Sequence, residues 1–260
     1  MDGFTDLTAE AERGRLFDVR FGPEPLAGQW TLRVRQIDMW TQEQRDAWVA
    51  HIQGAFVHLA VVSGLSGGTA DPRVSVFRED LEVWEVGDWL EWRFRGMNID
   101  LGAASLLLNL CEWATFNIAP AVEVEVLAWG LAFGPEPANR PLPRRRARLS
   151  FPTVEQGQVG RELSIQVEFA RRLDGNDVAR VSRFLQPWYT ALVRWGFALP
   201  NFGTGMSDVH PCSPPLVVVE DLYCYDFDVF TARYEAVDVM LNCLDWIHHS
   251  VCPVRAVAIE

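Results

Sequence analysis

Two stretches of this chain repeat one another. Residues 107–126 read LLNLCEWATFNIAPAVEVEV, and residues 240–259 read MLNCLDWIHHSVCPVRAVAI. The stretches align without a gap at a step of 133 residues, close to half of the 260-residue chain. The matched pairs include Asn109 with Asn242, Glu112 with Asp245, Trp113 with Trp246 and Pro120 with Pro253. A motif repeated at half the chain length predicts two copies of one structural unit.

The first copy predicts strands and helices in the order β-α-β-β-α-β. Residues 31–38 alternate like a strand, and Thr41 then caps a helix that ends at Gly64. Two alternating runs joined by Gly87 and Asp88 predict a hairpin. A second helix over about 102–117 and a strand over 121–129 complete the copy.

The second copy predicts the same order. Residues 162–173 are strand-like, and residues 175–197 are helical with a kink or restart expected at Pro187. Residues 216–230 and 231–237 predict the hairpin, before the repeated helix and a final strand. This order is ferredoxin-like, so we expect an α+β fold with two antiparallel sheets, each with two helices on one face.

The copies imply three regions: an N-terminal repeat with a leading segment (1–130), a linker (131–162) and a C-terminal repeat (163–260). The linker is rich in proline and carries Arg144, Arg145, Arg146 and Arg148. The string FGPEP occurs both in the linker and at residues 21–25. The leading segment is therefore a candidate edge strand ahead of the first copy.

Charge and cysteine content narrow the classes of function. The net charge is −12, which disfavours nucleic acid and anionic membranes as partners but suits a basic protein. The five cysteines show no C-x-x-C spacing and are typical of reduced thiols. With no apolar leader and no long apolar run, the sequence predicts a cytoplasmic protein. It leaves the oligomeric state open.

The polar face of the repeated helix is the first candidate site. In the second copy, Asp238, Asn242, Asp245 and His249 share one face. Asn242, Asp245 and His249 suit a ligand or metal, and the alternative is an ordinary solvated face. Phe116 stands where the second copy has His249, which argues against a metal site in both copies.

The loop at 200–215 is the second candidate site. It brings Asp208, His210 and Cys212 within five positions, a set that suits a metal or an activated thiolate. Contact with a partner is the alternative role for such a loop. No dinucleotide, Walker A or metalloprotease motif is present, so we expect no cofactor.

Two functions remain open. The first is a non-catalytic, acidic binding protein that neutralises a basic protein partner, as immunity proteins neutralise toxins. Glu220, Asp226 and Asp228 share one strand face and are its candidate contacts, while Tyr223, Tyr225 and Phe227 on the other face are expected in the core. The second is a small-molecule binder or enzyme with a pocket between the copies, near the 200–215 loop. We expect binding rather than catalysis.

Overall fold

The two halves of the chain each form a sheet with helices. The computed structural model describes residues 15–24, 29–63, 81–95, 101–128, 141–146, 148–156, 162–198, 209–211, 218–219, 222–230 and 232–260. No helix in these ranges is long and apolar enough to cross a membrane.

The described residues of the first unit form five strands. Its strands are β1 (Asp18–Pro23), β2 (Gln29–Gln36), β3 (Glu82–Val86), β4 (Trp89–Arg95) and β5 (Ala121–Ala128). Its helices are α1 (Gln42–Ile52), which continues through a π-helical turn (Gln53–Val57) into α2 (His58–Ser63), and α3 (Leu101–Asn117). The sheet order is β1-β5-β2-β4-β3, with β1 parallel to β5 and the other pairs antiparallel.

In the second unit, the residues that the structure describes form six strands. They are β6 (Thr153–Glu155), β7 (Leu163–Phe169), β8 (Val209–Pro211), β9 (Val218–Val219), β10 (Leu222–Phe230) and β11 (Val254–Ile259). The helices are α4 (Gly175–Val193) and α5 (Glu235–Ser250). The sheet order is β6-β11-β7-β10-β8, and β9 also pairs with β10. Here β6 is parallel to β11 and the other pairs are antiparallel.

The fold is α+β, as the sequence predicts, but the sheets are mixed rather than wholly antiparallel. In each unit a segment from before the predicted repeat adds a parallel edge strand beside the unit's last strand. In the first unit this strand includes Phe21–Pro23, the start of the FGPEP string. In the second it is β6, which lies inside the stretch predicted as a linker.

One local prediction in the second unit is wrong. Residues 232–237 are not a strand, because α5 begins at Glu235 and buries Ala236 and Val237. Besides β7, the described partners of β10 are β8 and β9, which come before it in the chain rather than after it. At Pro187 the restart, one of the two expected outcomes, does not occur, because α4 runs through this residue. The other outcome, a kink, stays a prediction.

The first helix of each unit begins in the same way. Thr41 caps α1 by accepting from the backbone of Gln44, and the Gln44 side chain accepts from the Thr41 backbone in return. Asp174, 133 residues later, forms the same reciprocal capping box with Asp177. The Thr41 cap is as predicted from the sequence.

The helices of the two units pack against each other and share one hydrophobic core. Helix α2 contacts α4 and α5, and the π-helical turn contacts α4. Each sheet lays its apolar face on these helices, for example Trp92 in the first and Tyr225 in the second. The opposite faces of the sheets point outward, so the outer faces, the helix ends and the joint between the units are where a site can form.

Candidate functional site

The polar face of α5 binds the chain's own segment ahead of β6. The amide of Asn242 accepts from the backbone N–H of Arg146 at 2.9 Å and donates to the carbonyl of Arg144 at 3.0 Å. Asp245 accepts from Nη1 of Arg146 at 3.0 Å and from the backbone N–H of Ser150 at 2.8 Å. Asn242 and Asp245 are buried, so this face is not a solvated one.

The other two residues of this polar face, Asp238 and His249, bind the same part of the chain. Nε2 of His249 lies 2.8 Å from Oγ of Ser150. Arg145 bridges Asp238, at 2.9 Å, and Glu155 of β6, at 2.6 Å. These contacts hold the backbone that enters β6. In the described part of the chain, no group of three or more His, Cys, Asp or Glu is placed to hold a metal ion.

The same arrangement recurs in the first unit. Nη1 of Arg15, three residues before β1, donates to Oδ1 of Asn109 at 3.0 Å and to Oε2 of Glu112 at 3.1 Å. Asn109 also donates to the carbonyl of Gly196 at 2.9 Å. The repeated Asn and carboxylate therefore have a structural role in both units: they anchor an arginine-bearing segment just ahead of the parallel edge strand.

Most of the other predicted site residues lie outside the part that the structure describes. Asp208, Cys212 and Glu220 are outside it, as is most of the 200–215 loop. His210 and Asp228 have described backbones only, in β8 and β10.

Asp226 lies on the outward face of β10. It is exposed and accepts from Oγ of Ser164 at 2.7 Å. The opposite face carries Tyr223, Tyr225 and Phe227, all buried, which confirms the predicted orientation of this strand.

The joint between the units contains a buried histidine. Nη1 of Arg194 donates to Nδ1 of His51 at 2.9 Å, because a guanidinium has no acceptor. The other ring nitrogen, Nε2, then carries the proton and donates to the carbonyl of Leu110 at 2.9 Å. Trp113 stacks on His51 and lies under Arg194.

The surroundings of His51 lower its pKa to about 4. Burial is the main cause, and the charge of Arg194 adds to it, while the hydrogen bond to Leu110 opposes the shift. With both nitrogens occupied, the ring is a structural group.

An aromatic pair borders this joint. Trp195 adopts φ +61°, the left-handed region that normally favours glycine. Its neighbour Gly196 donates to the carbonyl of Ala191 at 2.9 Å, which closes the end of α4. Trp195 packs against Phe116, which is 57% exposed.

The acidic end is a surface at one end of the first unit that the sequence analysis did not identify. It consists of Ile37, Asp38, Met39, Glu43, Asp46, Trp84, Glu85, Val86 and Asp88. The connection from β2 to α1 meets the β3–β4 turn here, since the backbone N–H of Gln36 donates to the carbonyl of Asp88 at 3.0 Å. Arg45 ties α1 to β3 through an ion pair with Glu85 at 3.0 Å.

The acidic end combines exposed apolar side chains with carboxylates. Met39 is 93% exposed, and Ile37, Trp84 and Val86 are each about half exposed. Among the described residues, Asp38, Glu43 and Asp88 form no ion pair. The run from Ile37 to Met39 was the available signal, because two large apolar residues in a connection just before a helix cap are unusual on a surface.

The second unit differs in charge at the corresponding positions. Arg171 and Arg172 stand 133 residues after Asp38 and Met39, immediately before the α4 cap. Both arginines are exposed. At these two positions the described part of the second unit is therefore basic, unlike the acidic end of the first unit.

Comparison with known proteins does not place the chain in a family. No protein-family description and no curated protein matches it. Weak structural likenesses include a conserved protein from Enterococcus faecalis V583 (TM-score 0.19, 9% identity, covering 89% of this chain and 78% of that one). A protease from Helicobacter pylori gives TM-score 0.20 and 11% identity over 88% and 77% of the two chains. A DyP-type peroxidase from Cellulomonas bogoriensis gives TM-score 0.20 and 11% identity over 92% and 89%. At such TM-scores these likenesses carry no argument about fold or function.

Proposed function

We propose that the protein is a non-catalytic binding protein that recognises a basic protein partner through the acidic end. The observation that carries this proposal is the exposure of Met39, Ile37, Trp84 and Val86 beside Asp38, Glu43 and Asp88, which form no ion pair with any residue that the structure describes. A cluster of exposed apolar side chains on one surface is typical of an interaction site. Carboxylates around it favour a basic partner, since complementary charge speeds encounter and excludes wrong partners.

The apolar and the acidic residues of the acidic end have different roles in binding. Met39 and Trp84 are suitable anchors, because methionine and tryptophan are enriched at the cores of interfaces. Asp38, Glu43 and Asp88 supply steering, which weakens as salt screens the charges. Neutralisation of the partner, in the manner of an immunity protein, is the form of action we propose, in the cytoplasm.

The absence of a catalytic role is supported by how the polar groups are used. Asn242, Asp245 and His249 bind the segment ahead of β6. Both ring nitrogens of His51 have partners within the chain. These groups are committed to holding the fold together.

The proposal includes an internal duplication, in which the chain contains two copies of one unit. The matching sheet orders, each with a parallel edge strand, support it. So do the equivalent helix caps at Thr41 and Asp174 and the arginine anchored on Asn109 and on Asn242. In this account the copies kept their architecture while the ends diverged, and one end became the binding surface.

Cross-linking in native lysate tests the proposal with matched variants. The test variant carries Asp38→Asn, Glu43→Gln and Asp88→Asn. The control variant carries Asp18→Asn, Glu162→Gln and Glu260→Gln, which remove the same charge from other exposed positions. A partner captured by the wild type and the control but lost from the test variant supports the acidic end. Equal capture by all three proteins contradicts it.

A third variant addresses the surface predicted from the sequence. Asp226→Asn with Asp228→Asn removes two of the charges on β10 that the sequence analysis singled out. If this variant alone loses the partner, the binding surface is the second sheet, and the proposal that the acidic end binds the partner is wrong.

A further inference from the structure

We infer that the partner binds by adding an extended, arginine- or lysine-bearing segment as a new strand along β3. The inference rests on the proposed function and specifies how the partner is recognised. Strand β3 lies at the edge of its sheet, and among the described residues it pairs only with β4. An edge strand offers a row of backbone donors and acceptors to an incoming strand.

The outward face of this sheet alternates in charge from strand to strand. Glu123 on β5 pairs with Arg20 on β1 at 2.5 Å and with Arg35 on β2 at 2.9 Å. Arg33 on β2 pairs with Glu125 on β5 at 2.7 Å and with Glu91 on β4 at 3.2 Å.

The alternation of charge continues to the edge strand β3, where Glu82 supplies a carboxylate. Arg93 on β4 pairs with Glu91 at 2.6 Å and stands opposite Glu82 on β3. Within the described residues, Glu82 has no ion pair of its own; its carboxylate accepts only from Nε1 of Trp84, at 3.3 Å. Because opposite charges on neighbouring strands attract, the next strand position is suited to a cation.

Contacts already present on this face of the sheet indicate how a cation from an added strand would be bound. Arg33 lies 4.4 Å from the ring centroid of Trp89, and Arg93 lies 5.4 Å from that of Trp84. Both arginines also pair with Glu91. A tryptophan ring with a carboxylate is thus the arrangement this sheet already uses for guanidinium groups. Trp84 already contacts Arg93, yet it is 49% exposed at the edge beside the exposed Glu82, so an arginine from outside can still reach both groups.

Apolar contact completes the proposed site. Val83 lies on the other face of β3 from Glu82 and Trp84, where it is partly buried against the core, and the β-branched residues of an added strand would meet it there. An added strand that alternates cationic and β-branched residues would place its cations near Glu82 and Trp84. Its backbone would supply the hydrogen bonds, and its side chains the specificity.

A peptide of alternating arginine and valine tests this directly. The probe is compared with two isomers of the same charge, one N-methylated at the arginines and the other at the valines. Each isomer loses the backbone donors on one edge only. Binding to the full-length protein is followed by fluorescence anisotropy at low salt. We expect one isomer to bind at least tenfold more weakly than the parent peptide and the other to bind like it. Equal affinity of all three peptides overturns strand addition, because charge alone would then explain binding.

Variants of the edge provide the second measurement. Trp84→Ala and Glu82→Gln are each expected to weaken the parent peptide at least fivefold, while Glu162→Gln leaves it unchanged. Unchanged binding to the Trp84 and Glu82 variants overturns the inference. If the acidic-end variant still loses the cellular partner, the proposed function stands while strand addition fails. If that variant keeps the partner, the proposed function itself fails.

Discussion

Nη1 of Arg194 lies 2.9 Å from Nδ1 of His51, so a guanidinium of the second unit meets a neutral imidazole of the first. The contact is partly buried at the joint between the units, and Trp113 stacks on the buried His51 and contacts Arg194. A charged imidazole would lose this hydrogen bond and face a positive charge. The joint is therefore built for the neutral form of His51.

Acidification is expected to destabilise the protein through His51. Its pKa is about 4 in the folded state and near 6.5 in the unfolded chain. Between these values the unfolded chain binds more protons, so the free energy of unfolding falls as the pH drops from about 6.5 towards 4. The full loss is on the order of 3 kcal/mol. Urea denaturation at pH 7 and pH 5 should show about 2 kcal/mol of this loss, since the rest falls below pH 5.

His51→Gln is the matched control for this titration. Glutamine can still donate to the Leu110 carbonyl and accept from Arg194, but it does not titrate. The variant should lose less stability than the wild type between pH 7 and pH 5. The same loss in both proteins would show that His51 does not govern this range.

Removal of the Asn242 amide is expected to destabilise the second unit. Asn242→Ala leaves the N–H of Arg146 and the carbonyl of Arg144 without their partner at a buried site. The expected cost is about 1–3 kcal/mol in thermal or chemical unfolding. Asn117→Ala, at an exposed position near the end of α3, is the control and should change stability by less than about 0.5 kcal/mol. Similar costs for the two variants would mean that the Asn242 contacts do not hold the segment ahead of β6.

Substitution of Trp195 is expected to reveal how much its left-handed backbone conformation lowers the stability of the protein. At φ +61° an alanine keeps the strain, whereas a glycine removes it. Trp195→Gly should therefore be more stable than Trp195→Ala by about 1 kcal/mol, since both lose the same contact with Phe116. An alanine variant as stable as the glycine variant would place Trp195 in an ordinary conformation.

The thiols are expected to react in a fixed order. Burial raises the pKa of Cys243 to about 12 and that of Cys111 further, so both should stay protonated and inert at pH 8. Among the described cysteines, Cys224 is the one that is not buried. We predict that Cys212 reacts first with iodoacetamide and Cys224 second, read by mass spectrometry under native conditions. Equal labelling of all five cysteines would contradict the burial of Cys111 and Cys243.

The elements that sequence reasoning predicted well are those with strong local signals. The cap at Thr41, the turn at Gly87 and the inward face of Tyr223 and Tyr225 each follow from nearby residues alone. Gly87 indeed has φ +66°. Local signals of this kind need no knowledge of distant partners.

The elements that were missed depend on distant parts of the chain. Strand β6 has only three residues, and its identity rests on pairing with β11 about a hundred residues later. The role of Asn242 likewise depends on where the backbone of Arg146 runs. Spacing on a helix shows which side chains share a face, but it does not show what covers that face. The acidic end was missed because its residues come from separate parts of the chain, namely the connection from β2 to α1, the start of α1, strand β3 and the β3–β4 turn.

Hydrogen exchange with and without the captured partner tests the central claim most directly. If the acidic end binds the partner, amide protection on binding should concentrate at residues 37–46 and 82–89. Residues 170–180, at the corresponding end of the second unit, should exchange as in the free protein. Protection confined to 222–227 or to the 200–215 loop, with none at 37–46 or 82–89, would contradict the account.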